Sequence, residues 1–384
     1  NVSATGDVTS ATGNYVGGLI GRLQMENGNQ IVSNAFATGA VTSTGDRVGG
    51  LMGDSNGIIT DSYAHGAVST TGQRVGGLVG SHQDGPIRNV TATGDVSTTG
   101  RKVGGLVGYT QTSVTNASAS GEVTTDGQEV GGLVGELDAH SDEEVRTVTA
   151  TGNVSTGSYY VGGLIGFIDQ SGTNAQYHEV TMSDAHATGD VSTTYDAGGN
   201  AQVGGLVGRF HESRDLTNVS ATGDVTSATG NYVGGLVGRL QMENGNQVVS
   251  SASAAGNVTT SGTYVGGLIG SHEGGQTISN VRATGDVSTA GDYVGGLVGR
   301  TRASITNATA SGEVTTNGQR VGGLVGYLDA YSDEEVRTVT ATGNVSAGGQ
   351  YVGGLIGDVD RNQNTDEVAM SDAHATGNVT TTYA

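Results

Sequence analysis

Residues 1–21 read NVSATGDVTSATGNYVGGLIG, and two patterns within them decide the fold. In the first, Val2, Ala4, Gly6 and Val8 share one parity, while Ser3, Thr5, Asp7 and Thr9 share the other. Period two is the mark of a β-strand with one buried face. The inward residues are small, so facing walls must lie close, and a Gly inside a strand fits close backbone approach. In the second pattern, V-G-G-L-I-G, apolar residues occupy both parities, as at Leu19 and Ile20. That suits a second strand or a tight corner whose glycines admit unusual backbone angles. A short polar turn separates the two patterns.

The stretch recurs. Residues 1–30 match residues 218–247 with one change, Ile20 against Val237. The segment V-G-G-L-[VIM]-G occurs 12 times, beginning at Val16, Val48, Val75, Val103, Val130, Val161, Val203, Val233, Val265, Val294, Val321 and Val352, mostly 27 to 32 residues apart. The alternating element precedes each and occurs 13 times, as in TATGDV, SASGEV and HATGNV. Residues 1–217 form a first block of seven units. Residues 218–384 form a second block of five complete units, one fewer than expected and open at its C-terminal end.

One unit cannot bury its own face, whereas parallel stacking buries a continuous core. The expectation is therefore all-β: a parallel β-solenoid (β-helix) of about 12–13 coils, roughly 27–32 residues per coil. At ~4.8 Å per coil this makes a rod of roughly 60 Å. A β-propeller is the runner-up, but its repeats run to ~40–50 residues with aromatic signatures.

Composition narrows the function classes. The chain has 70 Gly, 1 Pro, no Cys and no Trp, with a net charge of −21. So few large side chains allow only a thin core. The missing Cys exclude disulfides, a thiolate nucleophile and Cys-ligated zinc. No apolar run is long enough to span a membrane. Lys102 is the only lysine, beside 15 Arg and 37 acids, which argues against phosphate-mediated nucleic-acid binding. The same balance is that of acidic, lysine-poor halophilic proteins.

The repeated V-G-G-L-[VIM]-G resembles the GLUG motif, a Gly-Leu-hydrophobic-Gly repeat found in bacterial adhesins, beside the catalytic parts of some immunoglobulin-A-cleaving metallopeptidases, and in large haloarchaeal surface proteins. The resemblance covers nearly the whole chain. It implies an extracellular stalk or adhesive region at the cell surface and no activity of its own. The sequence holds no H-E-x-x-H zinc motif.

Stacking turns each repeat position into a column. The position after the strand Val, from Thr9 and Thr42 to Thr380, is Ser or Thr in all 13 units. Cross-strand hydroxyl hydrogen bonds are the expected reading. An acidic column comprises Asp7, Asp95, Glu122, Asp190, Asp224, Asp286 and Glu313, with Asn at four further units. Its charges interrupt any flat, ice-ordering hydroxyl plane. Like charges ~4.8 Å apart repel by about 1 kcal/mol in water, so stability should rise with salt. Sequons N-x-[ST] begin at Asn1, Asn89, Asn116, Asn153, Asn218, Asn257, Asn307, Asn344 and Asn378, all in two outward columns. They are the glycosylation candidates.

No cofactor is required by this sequence, although Ca2+ or another cation has candidate positions. Asp358, Asp360, Asn362, Asn364 and Asp366 recur every second residue, like the start of a calcium loop, but the Gly is missing and position twelve is Ala369. The paired loops ELDAHSDEEV and YLDAYSDEEV carry Asp138, Asp142 and Glu144 against Asp329, Asp333 and Glu335. His82 and His272 occupy matching loops and His186 and His374 precede matching strands, and all four are expected to be exposed.

These features favour a non-catalytic structural or adhesive rod, because block gain and loss changes the length of a stack without harming it. Its partners would be itself, end to end, or the continuation of a longer chain, or cell-surface glycans or proteins. A glycan- or ligand-binding module using the variable loops is the alternative. A carbohydrate-active β-helix would need a non-repeated carboxylate cluster.

Overall fold

The computed structural model describes residues 1–24, 30–170, 178–196, 200–211, 213–241, 248–274, 277–330, 333–361 and 367–382, and among them the chain is all-β with no helix. It divides into two compact units, Asn1–Asp190 and Val191–Ala384. Within each unit, short parallel strands stack as a β-solenoid. Together the coils amount to about 11 turns of roughly 31 residues. The duplication boundary after residue 217 falls inside the second unit.

One coil stands for the rest. Its first strand is Val114–Ala119, its second Val123–Thr125, its third Val130–Gly131 and its fourth Val134–Ala139. Each strand pairs with its counterpart in register, so Val103 lies on Val130 and Val130 on Val161. Like residues therefore stack on like, which is why the repeat tolerates so little change at these positions. Inward side chains are the small ones expected. Val114, Val123, Val130, Leu133, Val134 and Leu137 are all fully buried. Burying each Val or Leu contributes about 1.5–3 kcal/mol.

The alternating stretch is not one strand. Val90, Ala92, Gly94 and Val96 all face inward as the parity requires, but the backbone bends between Ala92 and Val96. The Gly sits at that corner. A Cβ on Gly121 would collide with the carbonyl of Gly94, one coil back. The V-G-G-L glycines answer a similar need. A Cβ on Gly104 would lie 2.6 Å from the Leu133 carbonyl oxygen and 2.8 Å from the Gly135 nitrogen. The expectation that these glycines take unusual angles is wrong. Gly85 (φ 78°) is the only glycine with positive φ among the described residues.

Positive φ falls instead on non-glycine residues, once or twice per coil. One column comprises Asn34, Asp61, Asn89, Asn116, Thr147 and Asp184, with φ between 48° and 55°. Asn and Asp tolerate this region best. The residue shifts the alternation, so Val114 and Ala117 both point inward with two outward residues between them. The second column precedes the motif Val and holds bulky residues, including Tyr15, Arg47, Arg74, Lys102 and Glu129. Both flanking amides are tied to the next coil, as in Lys102 N–H to the Gln128 carbonyl (2.8 Å) and Val103 N–H to the Glu129 carbonyl (3.0 Å). Those bonds offset a conformation that costs about 1–2 kcal/mol.

The buried hydroxyls that fasten the coils are not those of the column directly after the strand Val. Thr98, Thr125 and Thr316, one residue further on, are buried. Thr125 Oγ1 accepts the Gly127 N–H (2.9 Å) and donates to the Gly100 carbonyl of the coil before (2.8 Å). Thr98, Thr289 and Thr316 repeat the arrangement.

Candidate functional site

The outward columns hold most of the chain's polar chemistry, and the structure shows what each does. In the acidic column, Asp95 Oδ1 accepts the backbone N–H of Glu122 (2.9 Å), its counterpart one coil on. Asp7 holds Ala40 N–H (2.8 Å), Asp224 holds Asn257 (2.7 Å) and Asp286 holds Glu313 (2.8 Å). Asn does the same work. Asn153 Oδ1 accepts from Asp190 N–H, Asn257 Oδ1 from Asp286 N–H and Asn344 Oδ1 from Asn378 N–H. One oxygen at a fixed height is what the corner needs, and either residue supplies it. The carboxylates of Asp7, Asp95, Asp224 and Asp286 are clasps between successive coils.

Eight of the nine sequons, all but Asn1, divide between two columns here. Asn153, Asn257, Asn344 and Asn378 are corner residues of the kind just described. Asn89, Asn116, Asn218 and Asn307 occupy the left-handed column on the first strand, with φ between 49° and 53° for Asn89, Asn218 and Asn307 and 48° for Asn116. There the amides form a ladder. Asn89 Nδ2 donates to Asp61 Oδ1 (3.0 Å), Asn116 Nδ2 to Asn89 Oδ1 (2.7 Å) and Asn307 Nδ2 to Asn280 Oδ1 (2.5 Å).

A third surface runs along the residue before the motif Val and the outward side of the fourth strand. In the first unit Arg74 and Lys102 both lie over the Tyr109 ring, at 4.6 Å from its centroid. Lys102 pairs with Glu136, which is only 6% exposed. Burial pushes the Glu136 carboxyl up to about 7, against the opposing pull of the Lys102 ammonium. In the second unit Tyr232, Tyr264 and Tyr293 stack at 5.1 and 4.7 Å between centroids. Arg239 pairs with Glu273 (2.9 Å), Arg300 with Asp329 (2.6 Å) and Arg320 with Asp358 (2.8 Å). The tyrosine faces cover one another, so they offer edges rather than platforms for a sugar ring.

The described cation candidates each have protein partners. Asp358 and Asp360 share the outward face of the strand Ile356–Arg361. Arg320 holds the first and Tyr327 Oη donates to the second (3.1 Å). Asn362, Asn364 and Asp366 lie outside the described residues. Asp138 and Asp329 are buried beside Tyr109 and Arg300, whereas Asp142 and Asp333 clasp the N–H groups of Glu179 and Glu367. Glu144 and Glu335 pair with Arg146 and Arg337 two residues along. Among the described residues, no three His, Cys, Asp or Glu gather where they could hold a metal ion.

Two histidines overturn the expectation of exposure. His82 (0% exposed) and His272 (1%) lie on fourth strands, pointing inward. His82 Nε2 donates to the Gly85 carbonyl (2.7 Å), while its Nδ1 has no partner. Burial lowers both imidazoles to about 4. Their loop-like flanks, SHQDG and SHEGG, hid the strand.

Residues 71–97, 99–124, 261–288, 290–315 and 317–346 match the GLUG motif. The chain carries five GLUG repeats. A stretch of 277 residues is 61% identical to a protein named Halomucin from Haloquadratum walsbyi, a haloarchaeon. That alignment covers 71% of the chain but 3% of Halomucin's own length. No solved structure matches the GLUG-repeat chain. No helix among its described residues is long and apolar enough to cross a membrane.

Proposed function

We propose that this chain is a non-catalytic structural or adhesive segment of an extracellular surface protein in a salt-loving organism. One observation carries the reading. The outward carboxylates and amides that a catalytic site would draw upon are engaged in clasping one coil to the next, as Asp95, Asp224 and Asp286 do. Likeness to a far longer haloarchaeal protein supports the placement at the cell surface.

The test is excision of one period, residues 101–127, which joins Gly100 to Gln128 in register. A structural stack should stay folded in molar salt, keep its β-sheet circular dichroism and retain surface attachment when restored to its parent chain. Loss of a chemical activity or of a specific ligand with that one coil would sink the reading.

A second reading, a loop-borne glycan-binding module, has one feature in its favour. A cleft of about 370 Å³ in the first unit is lined by Gln83, Asp84, Gln111, His140 and Glu143. Glycan arrays read with and without His140→Ala would separate the two.

A further inference from the structure

The nine sequons look alike in sequence, yet the fold places them in two chemically different situations. We infer that N-linked glycans are carried by the corner column, at Asn153, Asn257 and Asn344, and are excluded from the ladder column, at Asn89, Asn116 and Asn307. The inference rests on the extracellular placement proposed above.

The reaction that decorates a sequon joins Asn Nδ2 to the anomeric carbon of a sugar carried on a lipid phosphate or pyrophosphate. The bond between that carbon and the phosphate oxygen breaks, the lipid phosphate leaves with the electron pair, and Nδ2 gives one proton to a base of the transferase. The amide nitrogen is a poor nucleophile while its lone pair is conjugated with the carbonyl. It must turn about the Cγ–Nδ2 bond to react, which requires the NH2 group to be unheld.

At the corner, the hydrogen bond uses the oxygen. Asn153 and Asn344 Oδ1 accept at 2.9 and 3.0 Å, and Asn257 Oδ1 accepts at 2.9 Å. Turning the NH2 group leaves those bonds intact. Among the described residues, no hydrogen bond holds the Nδ2 of these three, nor the hydroxyls of Ser155, Thr259 and Ser346 that complete their sequons. All three Asn are exposed.

On the ladder, the hydrogen bond uses the nitrogen. Asn89, Asn116 and Asn307 each donate Nδ2 to the coil before, so the same turn breaks the ladder. The hydroxyls of two of these sequons are engaged as well, since Thr91 Oγ1 and Ser118 Oγ lie 3.1 Å apart. The left-handed backbone at each Asn also departs from the extended form that a strand presents.

The full chain, bearing an added unstructured tail with one N-x-T sequon, would be secreted from a halophilic host that glycosylates such tails. Glycopeptide mass spectrometry then gives occupancy at every site. We expect an occupied tail, with Asn153, Asn257 and Asn344 at least tenfold more occupied than Asn89, Asn116 and Asn307. Equal occupancy, the reverse order, or bare corner sites beside an occupied tail would overturn the inference. A bare tail would instead remove the extracellular placement beneath it. Asp61→Gly tolerates the left-handed backbone and takes away the acceptor of Asn89. Occupancy at Asn89 should then rise severalfold, and no rise would show that the ladder is not the selector.

Discussion

Acidification should loosen the coil that contains His82, by an amount the burial of that ring sets. The unfolded chain holds a histidine of pKa about 6.5, while burial lowers His82 to about 4 in the folded chain. Asp84 and Asp54 and the hydrogen bond to Gly85 oppose that shift without cancelling it. Between the two values the unfolded state binds more protons, so stability is complete above about pH 6.5 and is lost as pH falls toward 4. The full difference is about 3 kcal/mol, and about 2 kcal/mol of it is gone by pH 5. His82→Gln isolates this effect, because the Gln amide can still donate to the Gly85 carbonyl but does not titrate. Every carboxylate is common to both proteins, so their difference belongs to the imidazole.

The assay is native-state hydrogen exchange in molar salt at pH 7.5, 6 and 5, corrected for intrinsic rates and read over residues 79–90. The opening free energy of the parent chain should fall by about 2 kcal/mol more than that of the variant. Profiles that run parallel within about 0.5 kcal/mol would refute a neutral, buried His82.

Other outcomes follow from the packing. Gly104→Ala forces a Cβ against the backbone of Leu133 and Gly135, which cannot yield, and should cost about 1–3 kcal/mol by thermal unfolding. Gly157→Ala, whose nearest neighbour is a movable Asp126 Oδ1 at 3.3 Å, should be nearly neutral in the same measurement. Asp286→Ala removes the clasp on Glu313 N–H and should cost about 1 kcal/mol. Asp286→Asn keeps the acceptor, and an equal loss for both variants would contradict the clasp. Adjacent Asp95 and Glu122 remain like charges one coil apart, so melting temperature should climb from 0.1 M to about 1 M NaCl, where the Debye length falls to ~3 Å. A flat melting temperature would count against repulsion along the column.

What the sequence disclosed and what it hid have a common cause. Side-chain parity is legible because it needs only the identity of residues two apart, so Val90, Ala92, Gly94 and Val96 were placed inward correctly. The bend within that run was not legible, since parity continues through it. The left-handed positions were also missed, because attention falls on glycine and the structure gives them to Asn116, Lys102 and Glu129. A recurring Asn or Asp three residues before the strand Ala was the available signal. The clasps were hidden because a carboxylate column reads as repulsion until the height of the next N–H is known. His82 was lost for a simpler reason: a polar run, SHQDG, looks like a loop although its first two residues finish a buried strand.

The corner clasps each run from one coil to its neighbour. Asp286 stands between Asn257 and Glu313, accepting nothing from further away. Thr125 reaches no further than Gly100 in the coil before and Gly127 in its own. A coil inserted or removed in register therefore leaves each clasp, hydroxyl and amide with a partner of the same kind. The stripe of long side chains obeys the same rule with different chemistry. Lys102 and Glu136 pair across neighbouring coils of the first unit, while Tyr264 and Tyr293 stack across neighbouring coils of the second. Ammonium, carboxylate and phenol are interchangeable there provided each meets its own neighbour. Selection acting on such a chain constrains the step from coil to coil and leaves the number of steps open. Residue identity is free to vary wherever a side chain is not needed for the step.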